Sequence, residues 1–266
     1  MELNSYIDHT NLKNTATLKD IETLCNEAIK YHFASVCVYP YYVPLCKKLL
    51  EGSNVSVCTV IGFPMGMNTK EVKVFEAINA IDNGAKEIDM VINIAALKNK
   101  DYEYVKEEIE EIRDAIDGNT LKVIIETCLL TKEEIIKMTE ICNETFVNFI
   151  KTSTGFSEYG ARVEDVELIN EHKGEVLEIK ASGGIRTLED AEAMINAGAT
   201  RIGTSSGVKI MQTPEHHCHC KDGEECTCGD DCHCKDGEEC TCGDDCHCKD
   251  GGKCTCGDEC HCKEEK

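Results

Sequence analysis

The chain has 266 residues, a formal net charge of -22 and 20 cysteines, a size that fits one large domain or two small ones. The acidic excess, without a basic stripe, argues against nucleic acid and against an anionic membrane as partners. No segment reaches the length of a membrane span, and Glu2 and Asp8 argue against a signal peptide, so we expect a cytoplasmic protein with reduced thiols.

Composition divides the chain near Pro214. Residues 1–214 are rich in Ile, Val, Leu and Ala, whereas no Leu, Ile, Val, Phe, Tyr or Met occurs from Glu215 onward. Fourteen of the cysteines lie between Cys218 and Cys262. Hydrophobic burial can therefore fold the first part but not the second. We predict a globular domain over residues 1–214 and a cysteine-rich tail over residues 215–266.

Short apolar runs alternate with segments of helical period along the first part. The capping patterns that begin at Thr17, Thr131 and Thr187, each with Asp or Glu three residues later, predict helix starts. Eight strands alternating with helices predict an α/β fold, a (β/α)8 TIM barrel. A doubly wound open sheet is the alternative, disfavoured because no G-x-G-x-x-G turn follows the first strand. The predicted strands are residues 6–9, 35–39, 55–61, 87–92, 121–126, 147–151, 176–180 and 201–203.

Lys151 and Lys180 end two consecutive predicted strands, within FIKTSTG and EIKASGG. Barrel enzymes carry their chemistry at the C-terminal ends of the strands, so these two ammonium groups would share one pocket. Like charges and partial desolvation both lower a lysine pKa from about 10.4, and Schiff-base chemistry needs a neutral amine. We therefore predict Lys151 as the nucleophile. The alternative for each lysine alone is a stem that reaches solvent, and Glu178 is a candidate to neutralise Lys180.

Asp89 lies inside the strand segment EIDMVIN. Strand alternation places it on the face opposite Ile88 and Met90, so its carboxylate points into the predicted barrel and needs a cation or a proton. It is either part of the chemistry or one half of a buried ion pair that holds two strands in register.

Glycine-rich turns follow the last two predicted strands, in ASGGIRT and RIGTSSG. Gly183 and Gly184 precede the helix start at Thr187, and Ser205 and Ser206 follow the last strand. Helix-start amides and serine hydroxyls bind a phosphate dianion well, and barrels often place a phosphate site after strands seven and eight. The two turns predict a phosphate site, with tight loops as the alternative.

Seven segments, in this order and spacing, resemble the bacterial type of deoxyribose-phosphate aldolase: IDHTNLK, SVCVYP, CTVIGFPMG, EIDMVIN, FIKTSTGF, EIKASGGIRT and RIGTSSG. The resemblance covers residues 6–210. It implies a class I aldolase that reversibly cleaves 2-deoxy-D-ribose 5-phosphate to D-glyceraldehyde 3-phosphate and acetaldehyde without a metal or cofactor. It also implies Lys151 as the Schiff-base lysine, Lys180 as the lysine that tunes it and Asp89 as the proton-relay acid. By the same resemblance the phosphate pocket is lined by Gly155, Gly183, Gly184, Ser205 and Ser206.

The chain departs from this family pattern at one point. Some members end in a tyrosine that reaches back to the active site, whereas no tyrosine follows Tyr159 here. Two other functions stay open: a metal-buffering protein with the barrel as an inactive carrier, and a Schiff-base aldolase for another phosphorylated sugar. A homo-oligomer also stays open.

The tail repeats the unit CHCKDGEECTCGDD with a period of 14 from Cys218. Disulfides, acidic disorder and soft-metal binding compete as explanations, and only metal binding accounts for both the Cys-X-Cys spacing and the acidic charge. The tail resembles metallothionein, so we expect Zn, Cu(I) or Cd as ligand and as the cause of any ordering. Six histidines from His216 to His261 are further candidate ligands. The predicted metal ligands are Cys218, Cys220, Cys226, Cys228, Cys232, Cys234, Cys240, Cys242, Cys246, Cys248, Cys254, Cys256, Cys260 and Cys262.

Overall fold

Residues 2–212 are described by a computed structural model of the chain, and the predicted tail lies outside this range. Eight parallel strands close into a barrel in chain order, with the last pairing back onto the first. The predicted (β/α)8 barrel is confirmed, and the ends of each predicted strand fall within two residues of the observed ones. The strands are β1 (Ile7–Asn11), β2 (Ser35–Val38), β3 (Ser56–Ile61), β4 (Glu87–Val91), β5 (Thr120–Ile124), β6 (Phe149–Lys151), β7 (Glu178–Ser182) and β8 (Arg201–Thr204).

Helices connect the strands. The capping boxes at Thr17, Thr131 and Thr187 are all present, so the three predicted helix starts are confirmed. In residues 2–212 no helix is both long and apolar enough to cross a membrane. The helices are α1 (Leu18–Tyr31), α2 (Val43–Leu49), α3 (Lys70–Asp82), α4 (Ile94–Lys98), α5 (Tyr102–Ala115), α6 (Lys132–Glu144), α7 (Val163–His172), α8 (Leu188–Asn196) and α9 (Gly207–Gln212), with 3-10 turns at Leu3–Tyr6, Pro40–Tyr42 and Thr127–Leu129.

The strands bury apolar and charged side chains on opposite faces. Ile88 and Met90 of β4 are fully buried in the main hydrophobic core, together with apolar residues of the surrounding helices. Burying one such side chain stabilises the fold by about 1.5–3 kcal/mol. Asp89, between them, contacts side chains of β5, β6 and β7 instead. Contacts between strands that are not neighbours are possible only across the barrel interior, so the charged face of β4 points inward.

The buried ion pair of Lys73 and Glu108, outside the barrel, is hydrogen-bonded to the end of β4. The Nζ of Lys73 on α3 lies 2.6 Å from Glu108 Oε1 on α5 and donates to the Val91 carbonyl at 2.8 Å. Glu108 Oε2 accepts from the Asn93 amide at 2.9 Å. Burial lowers the pKa of Lys73 and raises that of Glu108, against the attraction between the two groups. This pair is structural, because neither residue lines the cavity at the C-terminal ends of the strands.

Candidate active site

Lys151 is the last residue of β6, and the loop after it is held in place by neighbouring strands. Ser182 Oγ donates to the Ser153 carbonyl at 2.7 Å, and the Thr154 amide donates to Glu126 Oε1 at 3.2 Å. The Lys151 side chain is buried, with 3% of the residue exposed, and it reaches a cavity at the C-terminal ends of the strands. The Lys151 amine is therefore presented to the cavity from the end of a supported strand.

The three residues predicted to carry the chemistry meet inside the barrel. Lys151 and Lys180 are direct neighbours in the register of β6 and β7. Asp89 Oδ2 accepts a hydrogen bond from Lys151 Nζ at 2.8 Å and another from Lys180 Nζ at 2.7 Å. Lys180 and Asp89 are fully buried and do not line the cavity, whereas Lys151 does. The geometry thus separates the Lys151 amine, which reaches the cavity, from the Lys180 amine, which contacts Asp89 away from the cavity.

Further charged residues, which sequence reasoning missed, complete this arrangement. Asp89 Oδ1 accepts from Lys122 Nζ at 2.9 Å, and Asp8 Oδ2 lies 2.6 Å from Lys180 Nζ. Arg201 lies 2.7 Å from Asp8 Oδ1. The sequence signal that could have found them is a charged residue at a predicted strand position whose side chain points inward. We call the four cations and three carboxylates the charge cluster: Lys122, Lys151, Lys180, Arg201, Asp8, Glu87 and Asp89.

Inside the charge cluster, one lysine pKa shifts in the direction opposite to the one expected from the sequence. Burial alone lowers the pKa of Lys180, but the carboxylates of Asp8 and Asp89 outweigh burial and hold that pKa above its ordinary value. The predicted lowering is therefore wrong for Lys180, and its partners are Asp8 and Asp89 rather than Glu178. Burial alone raises the pKa of Asp89, yet Lys122, Lys151 and Lys180 hold it well below its ordinary value. Asp89 is consequently an ionised carboxylate that accepts hydrogen bonds from Lys122, Lys151 and Lys180.

The cavity next to Lys151 has a volume of about 690 Å³. Ser206, the fifth predicted phosphate residue, does not line it: its amide donates to Thr204 Oγ1 at 2.9 Å, and its carbonyl accepts from the Ile210 amide as α9 begins. The cations Lys13 and Arg186 also line the cavity and were not predicted. The predicted phosphate residues that do line it are Gly155, Gly183, Gly184 and Ser205.

Close backbone packing shapes the end of the cavity where the predicted phosphate residues lie. Gly183 has a φ of +84°, and a Cβ added to Gly160 would lie 2.0 Å from the Gly183 carbonyl oxygen. Glycine is required where two backbones approach this closely. At Gly184, with a φ of +83°, no atom lies within 4 Å of the place of a Cβ, so the backbone there faces open space. Backbone amides, a serine hydroxyl and the Arg186 guanidinium suit a phosphate dianion.

A closed (β/α)8 barrel with lysines at its catalytic end is the architecture of many aldolases. Residues 3–213 match the family model described as DeoC/LacD family aldolase. The chain belongs to this family and is an enzyme, a carbon–carbon lyase. The match ends at residue 213, so the tail lies outside it.

Relatives and solved structures agree with this assignment. The chain is 57% identical over 213 residues to deoxyribose-phosphate aldolase of Clostridium tetani (80% of this chain and 99% of that protein) and 57% identical over 212 residues to that of Finegoldia magna (80% and 100%). The structure of QR15, an aldolase, is 45% identical with a TM-score of 0.76, covering 79% of this chain and 94% of that one. The tetrameric deoxyribose phosphate aldolase of Aeropyrum pernix is 34% identical with a TM-score of 0.74, covering 79% and 89%.

Proposed function

We propose that the barrel is a class I deoxyribose-phosphate aldolase, which reversibly cleaves 2-deoxy-D-ribose 5-phosphate to D-glyceraldehyde 3-phosphate and acetaldehyde without a cofactor. The observation that carries the proposal is a cavity-facing lysine hydrogen-bonded to a carboxylate that a second, buried lysine also binds. Relatives at 57% identity bear that enzyme's name. A phosphate site at the other end of the cavity would hold the substrate.

The Lys151 amine attacks the C1 aldehyde of the substrate, and loss of water gives an iminium. This iminium accepts the electron pair of the breaking C2–C3 bond, while the C3 hydroxyl loses its proton and glyceraldehyde 3-phosphate departs. Protonation of the resulting enamine at carbon, followed by hydrolysis, releases acetaldehyde and the free lysine. Asp89 joins Lys151 to Lys180, so it can relay protons between the two amines, with a water completing the path to the substrate.

Ion pairing distinguishes Lys151 from the other lysines of the charge cluster. The cluster holds four cations against three carboxylates, so the cations do not all have a carboxylate of their own. Lys180 has two carboxylate neighbours, and Lys122 has Glu87 and Asp89 within 2.9 Å and Asp8 at 3.6 Å. Lys151 has Asp89 alone and shares it. The least paired amine is thus the one that faces the cavity.

Borohydride trapping tests the assignment of the nucleophile. Reduction in the presence of acetaldehyde should place a two-carbon adduct on Lys151, located by peptide mass mapping. Lys180, fully buried with its Nζ between Asp8 and Asp89, should remain unmodified in the same sample and serves as the internal control. An adduct on another lysine, or none, would contradict the proposed role of Lys151.

We also propose that the tail binds Zn, Cu(I) or Cd in a cytoplasmic protein, where its thiols stay reduced. The support is the repeated Cys-X-Cys spacing in the sequence. With four ligands per ion, fourteen thiolates would hold about three or four zinc ions. Native mass spectrometry of the reduced chain should show these ions, and a chain with its tail cysteines replaced by serine should lack them. Equal zinc uptake by both chains refutes the tail site, and EDTA should leave the aldolase rate unchanged.

An apolar surface on α3 supports a second copy of the chain as a partner. Met65, Met67, Val72, Phe75 and Ile78 are between 42% and 71% exposed, and the last three follow one face of α3. We call these five residues the α3 face. Patches of this kind mark contact surfaces, and the tail has no comparable apolar side chain to cover it. The relative from Aeropyrum pernix is tetrameric, which favours self-association of this chain.

Phe75→Lys should shift the protein toward the 29.5 kDa monomer, because a lysine cannot be buried against the α3 face of another copy without a partner charge. Light scattering after size exclusion measures the mass. Val176→Lys is the matched control, since Val176 is 76% exposed but not part of the α3 face. An unchanged mass for Phe75→Lys, or an equal shift for Val176→Lys, would contradict this interface.

A further inference from the structure

Two cysteines lie beside Asp89 without a part in the chemistry described above. Cys37 on β2 and Cys58 on β3 are direct neighbours in the strand register, and both are fully buried. Cys58 Sγ is 3.1 Å from Asp89 Oδ1 and 3.3 Å from Lys122 Nζ. The two sulfur atoms and one Asp89 carboxylate oxygen all lie within 4.8 Å of one another. Three donor atoms from three adjacent strands therefore converge on one point.

We propose that Cys37 and Cys58 form an inhibitory site for a soft monovalent cation, Cu(I), inside the barrel. Thiolates are the protein ligands that select Cu(I), and two of them are already adjacent. The site is distinct from the predicted tail ligands, because both thiols belong to strands of the barrel. Its effect on turnover rests on the proposed aldolase function, whereas the binding of copper does not.

The charge of the surroundings selects the ion. The charge cluster carries four cations and three carboxylates, an excess of one positive charge. Cu(I) bound by two thiolates carries one negative charge and cancels this excess. A divalent ion bound by the same two thiolates is neutral and leaves the excess in place. Because unbalanced charge is costly in a buried site, the monovalent ion is favoured over Zn or Cd.

Copper at this site would disturb the group on which the lysines depend. The Cys58 thiol is hydrogen-bonded to both Asp89 Oδ1 and Lys122 Nζ. A metal ion on this sulfur would therefore change the contacts of Asp89 Oδ1. Leu12 belongs to the same buried cluster as the two cysteines and also lines the cavity, so the thiols lie close to the cavity wall. Bound copper should thus slow catalysis without occupying the substrate cavity.

The test is an anaerobic titration of the reduced full-length chain with Cu(I) acetonitrile complex. Native mass spectrometry counts the bound copper, and the aldolase rate is followed in the same samples. Wild type should bind about one copper ion more than Cys37→Ser does. As that ion binds, the aldolase rate of the wild type should fall at least about tenfold. Cys37→Ser should keep its own metal-free rate over the whole titration. Cys142→Ser, which removes a buried cysteine of α6, is the matched control and should behave as wild type.

Equal copper counts for wild type and Cys37→Ser, or inhibition of both at the same copper count, would overturn the proposal. Cys37→Ala gives the same comparison if the serine variant does not fold. A chain without aldolase activity before copper is added would refute the proposed function instead, while the difference in copper count would still decide whether the thiol site exists.

Discussion

Lys151→Met should lower kcat for cleavage of 2-deoxy-D-ribose 5-phosphate by at least about 10⁴-fold, because it removes the amine that forms the iminium. Lys122 and Lys180 cannot replace it, since both are fully buried and outside the cavity lining. The variant should remain folded. Without Lys151 the charge cluster keeps three cations against three carboxylates, and methionine fills a similar volume.

Steady-state kinetics and thermal unfolding of the purified variant measure these two outcomes. Lys137→Met is the matched control, because Lys137 lies on the outer surface of α6, paired with Glu140. It should keep the rate of the wild type. Residual activity of Lys151→Met above about 1% of wild type would mean that another group forms the covalent intermediate.

Asp89→Asn should reduce both stability and turnover. The substitution leaves four cations against two carboxylates inside the barrel, and removing one partner of a buried pair costs about 3–5 kcal/mol in unfolding free energy. Loss of the carboxylate that joins Lys151 to Lys180 should lower kcat by about 10²- to 10⁴-fold, because an amide cannot relay a proton between them. Urea denaturation and steady-state kinetics measure the two effects separately.

Glu108→Gln is the control that shows whether a loss of folding stability by itself lowers kcat. Glu108 is also a fully buried carboxylate paired with a lysine, but its partner Lys73 lies outside the barrel interior. This variant should lose stability comparably to Asp89→Asn while its kcat stays within about twofold of wild type. If kcat falls equally in both variants, the effect of Asp89→Asn comes from general destabilisation and not from its place between the lysines.

The elements of the fold could be predicted from local sequence. The capping boxes at Thr17, Thr131 and Thr187 involve residues three apart, and strand alternation involves residues two apart, so neither depends on distant parts of the chain. The inward orientation of Asp89 also followed from alternation. The same local reasoning brought Lys151 and Lys180 together, because they end consecutive strands.

The partners of those lysines could not be predicted in this way. Asp8 meets Arg201 across 193 residues of sequence, and Lys122 meets Asp89 across 33. Counting only two lysines predicted a lowered pKa, whereas Asp8 supplies the extra carboxylate that raises the pKa of Lys180. Ser206 likewise carried the same motif-based expectation as Ser205, but its backbone begins α9 outside the cavity lining.

By itself, the sequence determined the number of strands, the helix starts, the family and the position of Lys151 at the end of a strand, because each of these depends on short-range periodicity or on contiguous motifs. Only the tertiary structure decided which charges face one another and which amine reaches the cavity. The reason is that electrostatic energy depends on distances between atoms, and closure of the barrel brings Asp8 of β1 within a few ångströms of Lys122, Lys180 and Arg201.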